Sequence, residues 1–155
     1  MSMLTSIVAI LAIAYGILTI VVALNIGDRF ADSDTKCNKD AIKSNQGLLV
    51  VGGVMLAFGV SYLSCNFMCT CKGGDYMLDN SMVFSGGVIL TSILCITLSA
   101  IVENKGKECV KDISKTTRSV WISASIILVL GLLLAGIHVW SGFGTHRGNV
   151  VTWNS

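Results

Sequence analysis

The sequence predicts an all-α integral membrane protein, a four-helix bundle of two helical hairpins without a soluble domain. Four apolar runs, residues 4–26, 47–68, 81–102 and 120–140, contain none of the 11 Lys and Arg or the 9 Asp and Glu of this 155-residue chain. Helices of 21 to 23 residues reach about 32 to 34 Å, which matches a hydrocarbon core of about 30 Å. The segments outside the runs are 20 residues or shorter, too short to fold as a separate domain.

The first run is expected to be a span of the mature protein and not a signal peptide. No basic segment precedes it, its apolar stretch is too long, and no small-residue cleavage site follows at the required place. Tyr15 lies in the middle of this run, where we expect its side chain to pack or to hydrogen-bond inside the bundle.

Small residues recur every four positions in the second and third runs. In lipid, helices associate through the close approach of small side chains. The stripes are Gly53, Ala57, Ser61 and Cys65 in the second run and Gly87, Thr91, Cys95 and Ser99 in the third. Because only 12 residues connect these runs, we expect antiparallel neighbours with the two stripes in contact. Shorter pairs mark the outer runs, Ala12 with Gly16 and Gly131 with Ala135.

The fourth run has aromatic residues near both ends. Trp121 and Trp140 lie where aromatic side chains of membrane interfaces are usually found. His138, close to Trp140, is interpreted as an interfacial residue that faces headgroups or water.

Two of the polar segments share a sequence pattern. Residues 37–44 and 109–116 both fit Cys-x-Lys-Asp-x-x-Lys-[Ser/Thr], and the offset of 72 residues also carries Gly47, the start of the second run, to Ser119, next to the start of the fourth. This pattern predicts a duplicated hairpin, residues 1–72 and 73–144, repeated in parallel orientation. Chance similarity between two short polar segments remains the alternative, because the runs themselves show little similarity at this offset.

The cysteines outside the runs fall on two sides of the membrane. Four spans place Cys37 and Cys109 together on one side, and Cys69 and Cys71 on the other with both termini. In an oxidising compartment Cys37 and Cys109 are disulfide candidates, whereas in the cytosol they would remain thiols. Cys69 and Cys71 are candidates for reversible palmitoylation on the cytosolic side. No metal site is expected, because a zinc site needs four ligands and no His lies near these cysteines.

The charge distribution and the cysteine assignments predict opposite orientations. A Cys37–Cys109 disulfide together with palmitoylation of Cys69 and Cys71 would place the termini in the cytosol. The segments around Cys37 and Cys109 hold nine of the eleven Lys and Arg, so positive-inside counting places them in the cytosol and both termini outside. We take this orientation as the expectation. In either orientation, the lysines of the repeated pattern are expected to face a partner: Lys39, Lys43, Lys111 and Lys115.

The residue types that are absent from the runs argue against several classes of membrane protein. The chain has no Pro, and no run contains a charged side chain, which weighs against transporters built from broken helices and against pumps and voltage sensors. No Lys/Arg-rich stretch alternates with aromatic residues, so no nucleic-acid partner is expected. No ligand cluster or nucleotide-binding loop points to a cofactor, and we assign neither a cofactor nor a catalytic residue.

In layout, with four spans, short connecting segments and a short tail, the chain resembles small polytopic membrane proteins of the internal lipid layer of large icosahedral DNA viruses. It equally resembles accessory subunits of organellar or respiratory membrane complexes. Either resemblance implies a structural or assembly role in a virion internal membrane or an organellar membrane. The implied partners are the lipid bilayer and protein subunits, either copies of this chain or other membrane or capsid-type subunits. The resemblance rests on layout without a diagnostic motif, so it assigns no functional residue.

Two other functions stay open. The chain also resembles four-helix, quinone-linked disulfide-forming enzymes, in which Cys37 with Cys109 and Cys69 with Cys71 would be redox couples. Here the spacing Cys-x-Cys departs from their usual Cys-x-x-Cys. The other function is a channel or pore subunit, because uncharged polar side chains in the runs could line an oligomeric pore: Thr19, Asn25, Ser61, Ser64, Asn66, Thr97 and Ser123. Ser and Thr in such positions also commonly bond to their own helix or to a neighbouring one.

Overall fold

The computed structural model describes residues 3–32, 37–68, 74–110 and 112–146, with side chains for residues 4–32, 37–64, 82–110 and 112–140. These residues form four α-helices and no strand: α1 (Met3–Ala31), α2 (Lys39–Met68), α3 (Gly74–Gly106) and α4 (Ile113–His146). Each helix is long enough and apolar enough to cross a membrane. The predicted all-helical class with four candidate spans is confirmed.

The helices are longer than the apolar runs. At the end of the bundle that carries Cys37 and Cys109, which we call the disulfide end, each helix continues four to eight residues into the charged segments. No Pro interrupts them, and Asn38 caps α2 by accepting a hydrogen bond at its Oδ1 from the Asp40 backbone N–H, 2.9 Å away. Asp112, just before α4, has a φ of 71°, a left-handed conformation that Asp tolerates better than most residues.

The four helices pack in a ring. α1 lies against α2, α2 against α3, α3 against α4 and α4 against α1, with the most extensive contacts inside the α1–α2 and α3–α4 hairpins. Large side chains fill the interior, among them Ile26, Leu48, Met55, Val88 and Val120, all at most 1% exposed. The outer surface is apolar as well, and several side chains on it are more than half exposed: Ile10, Val21, Val50, Val83, Leu90, Ile126 and Leu133. A helix that is hydrophobic all round is typical of a membrane span.

The structure corrects the expected contact between the two small-residue stripes. On α3, Thr91, Cys95 and Ser99 are buried, and a Cβ on Gly87 would lie 3.4 Å from the Phe58 ring of α2. On α2, Ala57 and Ser61 are exposed, and a Cβ on Gly53 would meet nothing within 4 Å. The α2 stripe therefore faces outward, and the side chain of Cys65 lies outside the described residues. The reason is that α2 directs its large side chains to α3, where the Tyr62 and Phe84 rings stack 4.3 Å apart.

Two glycines allow a close approach of α1 to α2. A Cβ on Gly16 would lie 2.8 Å from the backbone N of Leu56 and 2.9 Å from the carbonyl O of Gly52. A Cβ on Gly59 would lie 2.6 Å from Cγ1 of Ile13. Because only Gly allows this approach, Gly16 brings the two backbones together. In the second hairpin, Gly131 is buried with Ile89 and Val88 of α3 each 3.1 Å from where its Cβ would be, while Ala135 is half-buried.

Residues 72 positions apart occupy similar environments in the two hairpins. The pairs Ala41 and Ile113, Leu48 and Val120, Met55 and Ile127, and Gly59 and Gly131 are buried throughout. Thr19 and Thr91 are buried too, and each donates its hydroxyl to the carbonyl four residues earlier, at 2.9 and 2.7 Å. This common register supports a duplicated hairpin of residues 1–72 and 73–144, which stays a prediction.

Candidate functional site at the disulfide end

The structure joins Cys37 and Cys109 in a disulfide with a Cα–Cα distance of 5.4 Å. Cys37 directly precedes the N-cap of α2. Cys109 lies in the turn after α3, where its backbone N–H and that of Val110 donate to the Gly106 carbonyl at 3.1 and 3.0 Å. The bond therefore ties the link between α1 and α2 to the link between α3 and α4.

An apolar layer lies beneath the disulfide. Both cysteines are half-buried and pack against the core. Phe30, Ala41 and Ile113 are buried at this end, and a Cβ on Gly106 would lie 2.7 Å from Cδ1 of Ile113 and 3.2 Å from the Phe30 ring. The end of the bundle is thus closed by tightly packed apolar side chains under a covalent link.

Charged side chains surround this layer. Three of the four lysines predicted to face a partner, Lys39, Lys43 and Lys115, are exposed, and Lys111 lies outside the described residues. Lys115 forms an ion pair at 3.3 Å with Asp112, which lies three residues earlier, just before the start of α4. Within the part of the chain that the structure describes, Lys39 and Lys43 form no ion pair. Their ammonium groups are accordingly available to an external anionic group.

Small hydroxyl side chains inside the bundle bond to their own helices. Thr19, Ser92 and Thr117 each donate to the carbonyl four residues earlier, at 2.7 to 3.0 Å. Thr91 does the same at 2.7 Å, and its hydroxyl also lies 3.1 Å from the sulfur of Met55. These bonds satisfy hydroxyl groups that lipid cannot solvate, without a ligand.

Asn45 makes a contact that the sequence analysis missed. Its Nδ2 donates to the Ala23 carbonyl of α1 at 2.8 Å, a buried hydrogen bond between the two helices. Gly27 leaves room for this approach, since a Cβ there would lie 3.4 Å from Nδ2. The sequence gives little indication of this bond, because a single amide in a charged segment fits no recurring pattern. The one indication is that Asn45 lies within one helical turn of the second apolar run. Such bonds contribute about 0.6 kcal/mol on average in membrane helices.

The remaining candidate residues have different environments. Cys69, Cys71 and Asn66 lie outside the residues whose side chains are described. Cys95 is a buried free thiol, and the described residues contain no group of metal-ligating side chains that could hold an ion.

Of the polar residues considered for a pore, Thr19 is buried, Ser64 and Ser123 are half-buried, and Asn25, Ser61 and Thr97 lie on the outer surface. Nδ1 of His138 lies 2.7 Å from the Leu134 carbonyl O, and the residue is half-buried.

The Tyr15 hydroxyl tests how polar groups are satisfied inside the bundle. It is buried near the side chains of Thr19 and Cys95, but it has no hydrogen-bond partner among the described residues. Since a buried hydroxyl without a partner is unfavourable, Tyr15→Phe should leave the free energy of unfolding unchanged or raise it by up to about 1 kcal/mol. Thermal unfolding in detergent measures the change. A loss of stability above about 1 kcal/mol would mean that the hydroxyl is bonded in the native protein.

No protein-family model, curated protein or solved structure matches this chain. Its function has to follow from the chemistry of its own residues. The disulfide end is the region where a covalent link, exposed charges and a closed apolar layer coincide.

Proposed function

We propose that the chain is a multi-pass integral membrane protein with a structural or assembly role. Its outer apolar face packs in the bilayer with lipid, with copies of itself or with other membrane subunits. Its disulfide end presents lysines to an acidic surface of an adjoining protein layer. The observation that carries this proposal is the Cys37–Cys109 disulfide, which joins the two hairpins at the end where Lys39 and Lys43 are exposed.

A covalent link at this end suits a docking surface. It closes a loop of 72 residues and so restricts the relative motion of two segments that carry the lysines. A surface that is ordered before binding loses less conformational entropy when a partner docks. Exposed lysines add electrostatic steering and specificity rather than large binding energy.

The disulfide supports the orientation opposite to the positive-inside expectation. Disulfides persist in oxidising compartments and are rare in the cytosol. With Cys37 and Cys109 on the oxidising side, Cys69, Cys71 and both termini lie on the reducing side, where palmitoylation takes place. The acidic residues near Cys37 equal the basic ones there in number: Asp28, Asp32, Asp34 and Asp40 against Arg29, Lys36, Lys39 and Lys43.

Reversing charge at the disulfide end tests the assembly role. In the protein extracted from its native membrane in mild detergent, the double variant Lys39→Glu, Lys43→Glu should lose the higher-mass complex that the wild type retains. These side chains are exposed and form no ion pair in the described part of the chain, so thermal stability should be unchanged. The double variant Lys72→Glu, Arg147→Glu is the matched control, because it reverses the same number of charges at positions predicted to lie on the other side of the membrane. Equal complex mass for both variants would contradict the role of these lysines.

A membrane thiol oxidoreductase is a second candidate, favoured by one observation. Cys37 and Cys109 are only half-buried, and exposed disulfides are attacked by thiolates more readily than buried ones. A redox couple would open within minutes in reduced glutathione and exchange with a dithiol protein. A structural disulfide would stay closed under the same conditions, as the assembly role requires.

A further inference from the structure

A polar groove lies between the end of α3 and the start of α4. It encloses about 360 Å³ and is lined by Ala100, Glu103, Asn104, Ser114, Arg118 and Trp121. The α3 and α4 helices form its walls where they leave the apolar runs, so the groove is near the disulfide end. It contains one guanidinium, one amide and one indole, all of which donate hydrogen bonds.

The groove is lined by one acidic and one basic side chain, Glu103 and Arg118, but these two do not neutralise each other. Glu103 accepts a hydrogen bond from the Ser114 hydroxyl at 2.8 Å and forms an ion pair with Lys107 at 3.1 Å. Arg118 is exposed and has no ion-pair partner within the described residues. Its guanidinium cannot lose its proton and fits a phosphate through two parallel hydrogen bonds. The unneutralised group in the groove is therefore a cation with a preference for phosphate.

The depth of the groove indicates where the phosphate comes from. Arg118 lies two residues before the fourth apolar run, and Trp121 lies inside that run one turn later, half-exposed. Arg and Trp at this depth are typical of the headgroup region of a bilayer. Farther from the disulfide end, the two helices expose apolar side chains, among them Leu94 on α3 and Ile122 on α4. A ligand with a phosphate and an apolar chain matches both parts of this surface.

We propose that this groove binds the phosphate of an anionic phospholipid from the leaflet at the disulfide end. Arg118 holds the phosphate, the Asn104 amide donates to a headgroup oxygen, and Trp121 lies at the boundary between headgroup and acyl chain. An anionic phospholipid is favoured over a zwitterionic one, because the positive charge of a zwitterionic headgroup offsets the attraction between its phosphate and Arg118.

Native mass spectrometry of the detergent-solubilised full chain tests this site. Dioleoyl-phosphatidylglycerol and dioleoyl-phosphatidylcholine are titrated separately, and retained lipids are counted on wild type, Arg118→Gln, Arg118→Lys and Arg29→Gln. Arg29 is the matched control because it is an exposed arginine at the same end of the bundle, outside the groove. Thermal unfolding verifies that each variant is folded.

The wild type should retain phosphatidylglycerol about fivefold better than phosphatidylcholine, and Arg118→Gln should remove this preference. Arg118→Lys should keep part of it, and Arg29→Gln should leave it unchanged. Equal retention of both lipids by the wild type would overturn the proposal, and so would equal losses in Arg118→Gln and Arg29→Gln. If 10 mM inorganic phosphate displaces phosphatidylglycerol as effectively as added lipid, the site binds a free anion and the proposed lipid is wrong.

Discussion

Replacing Cys37 or Cys109 by Ser is expected to lower the free energy of unfolding by about 4 kcal/mol in the chain-entropy description of disulfides. The bond closes a loop of 72 residues, and its loss raises the conformational entropy of the unfolded chain. This is the largest effect we expect of any single substitution, because it removes the one covalent link between the hairpins in the described part of the chain. Unfolding in detergent with increasing denaturant measures it, with and without reductant.

The controls for this experiment are internal. Reductant should destabilise the wild type as much as the substitution does, and should have no further effect on Cys37→Ser. The double variant Cys37→Ser, Cys109→Ser should match either single variant, because the two changes remove the same bond. If the single variants unfold at the same denaturant concentration as the oxidised wild type, the disulfide does not stabilise the fold.

Substituting Gly16 by Ala should produce the second largest loss, about 2 kcal/mol. The new methyl group would lie 2.8 Å from the backbone N of Leu56 and 2.9 Å from the Gly52 carbonyl O. Backbone atoms of a neighbouring helix cannot rotate away as the end of a side chain can, so α1 and α2 have to move apart. That movement weakens the most extensive helix contact in the bundle. Thermal unfolding in detergent measures the loss.

Gly53→Ala is the matched control for Gly16→Ala. Both are glycines in the middle of candidate spans, but a Cβ on Gly53 meets nothing within 4 Å. Ala is also favoured over Gly in a helix by about 0.5 to 1 kcal/mol. Gly53→Ala should therefore leave stability unchanged or raise it slightly. Comparable losses at both positions would contradict the packing of α1 against α2 described above.

The fold class was predictable because charge is excluded from membrane spans so strictly. Four uncharged runs of the right length fix the number of helices before any packing is considered. The ends of the helices were not predictable in this way, since hydropathy marks the apolar part of a helix and not its continuation into water. α2 begins at Lys39, eight residues before its apolar run, because Asn38 caps it and no Pro stops it.

The rotation of each helix was harder to predict than its existence. Gly53, Ala57 and Ser61 lie on one face of α2, but a stripe of small residues does not say which neighbour that face meets. The large side chains decide it, since Phe58 and Tyr62 need the space that α3 offers at Gly87 and Phe84. Gly16 of α1 belongs to a predicted pair of small residues, but the α2 glycines that it approaches or that lie near it, Gly52 and Gly59, are outside the predicted α2 stripe.

The candidate site was partly visible in the sequence. The repeated Cys-x-Lys-Asp pattern made Cys37 and Cys109 disulfide candidates, because equivalent positions of two hairpins meet at one end of a bundle. The expected orientation, with this end in the cytosol, predicted free thiols instead. The groove around Arg118 was not visible, because its residues come from two helices and follow no shared spacing. Only the packing of α3 on α4 brings Asn104 and Arg118 to one place.

Thiol labelling in intact membranes tests the central claim most directly, namely that the Cys37–Cys109 disulfide closes the lysine-bearing end on an oxidising side. In a variant that keeps only these two cysteines, we expect a membrane-impermeant maleimide to label neither until a membrane-impermeant reductant is added. Both should then react without permeabilisation of the membrane. Labelling that needs no reductant and occurs only after permeabilisation would contradict the disulfide, the orientation and the docking surface that depends on them.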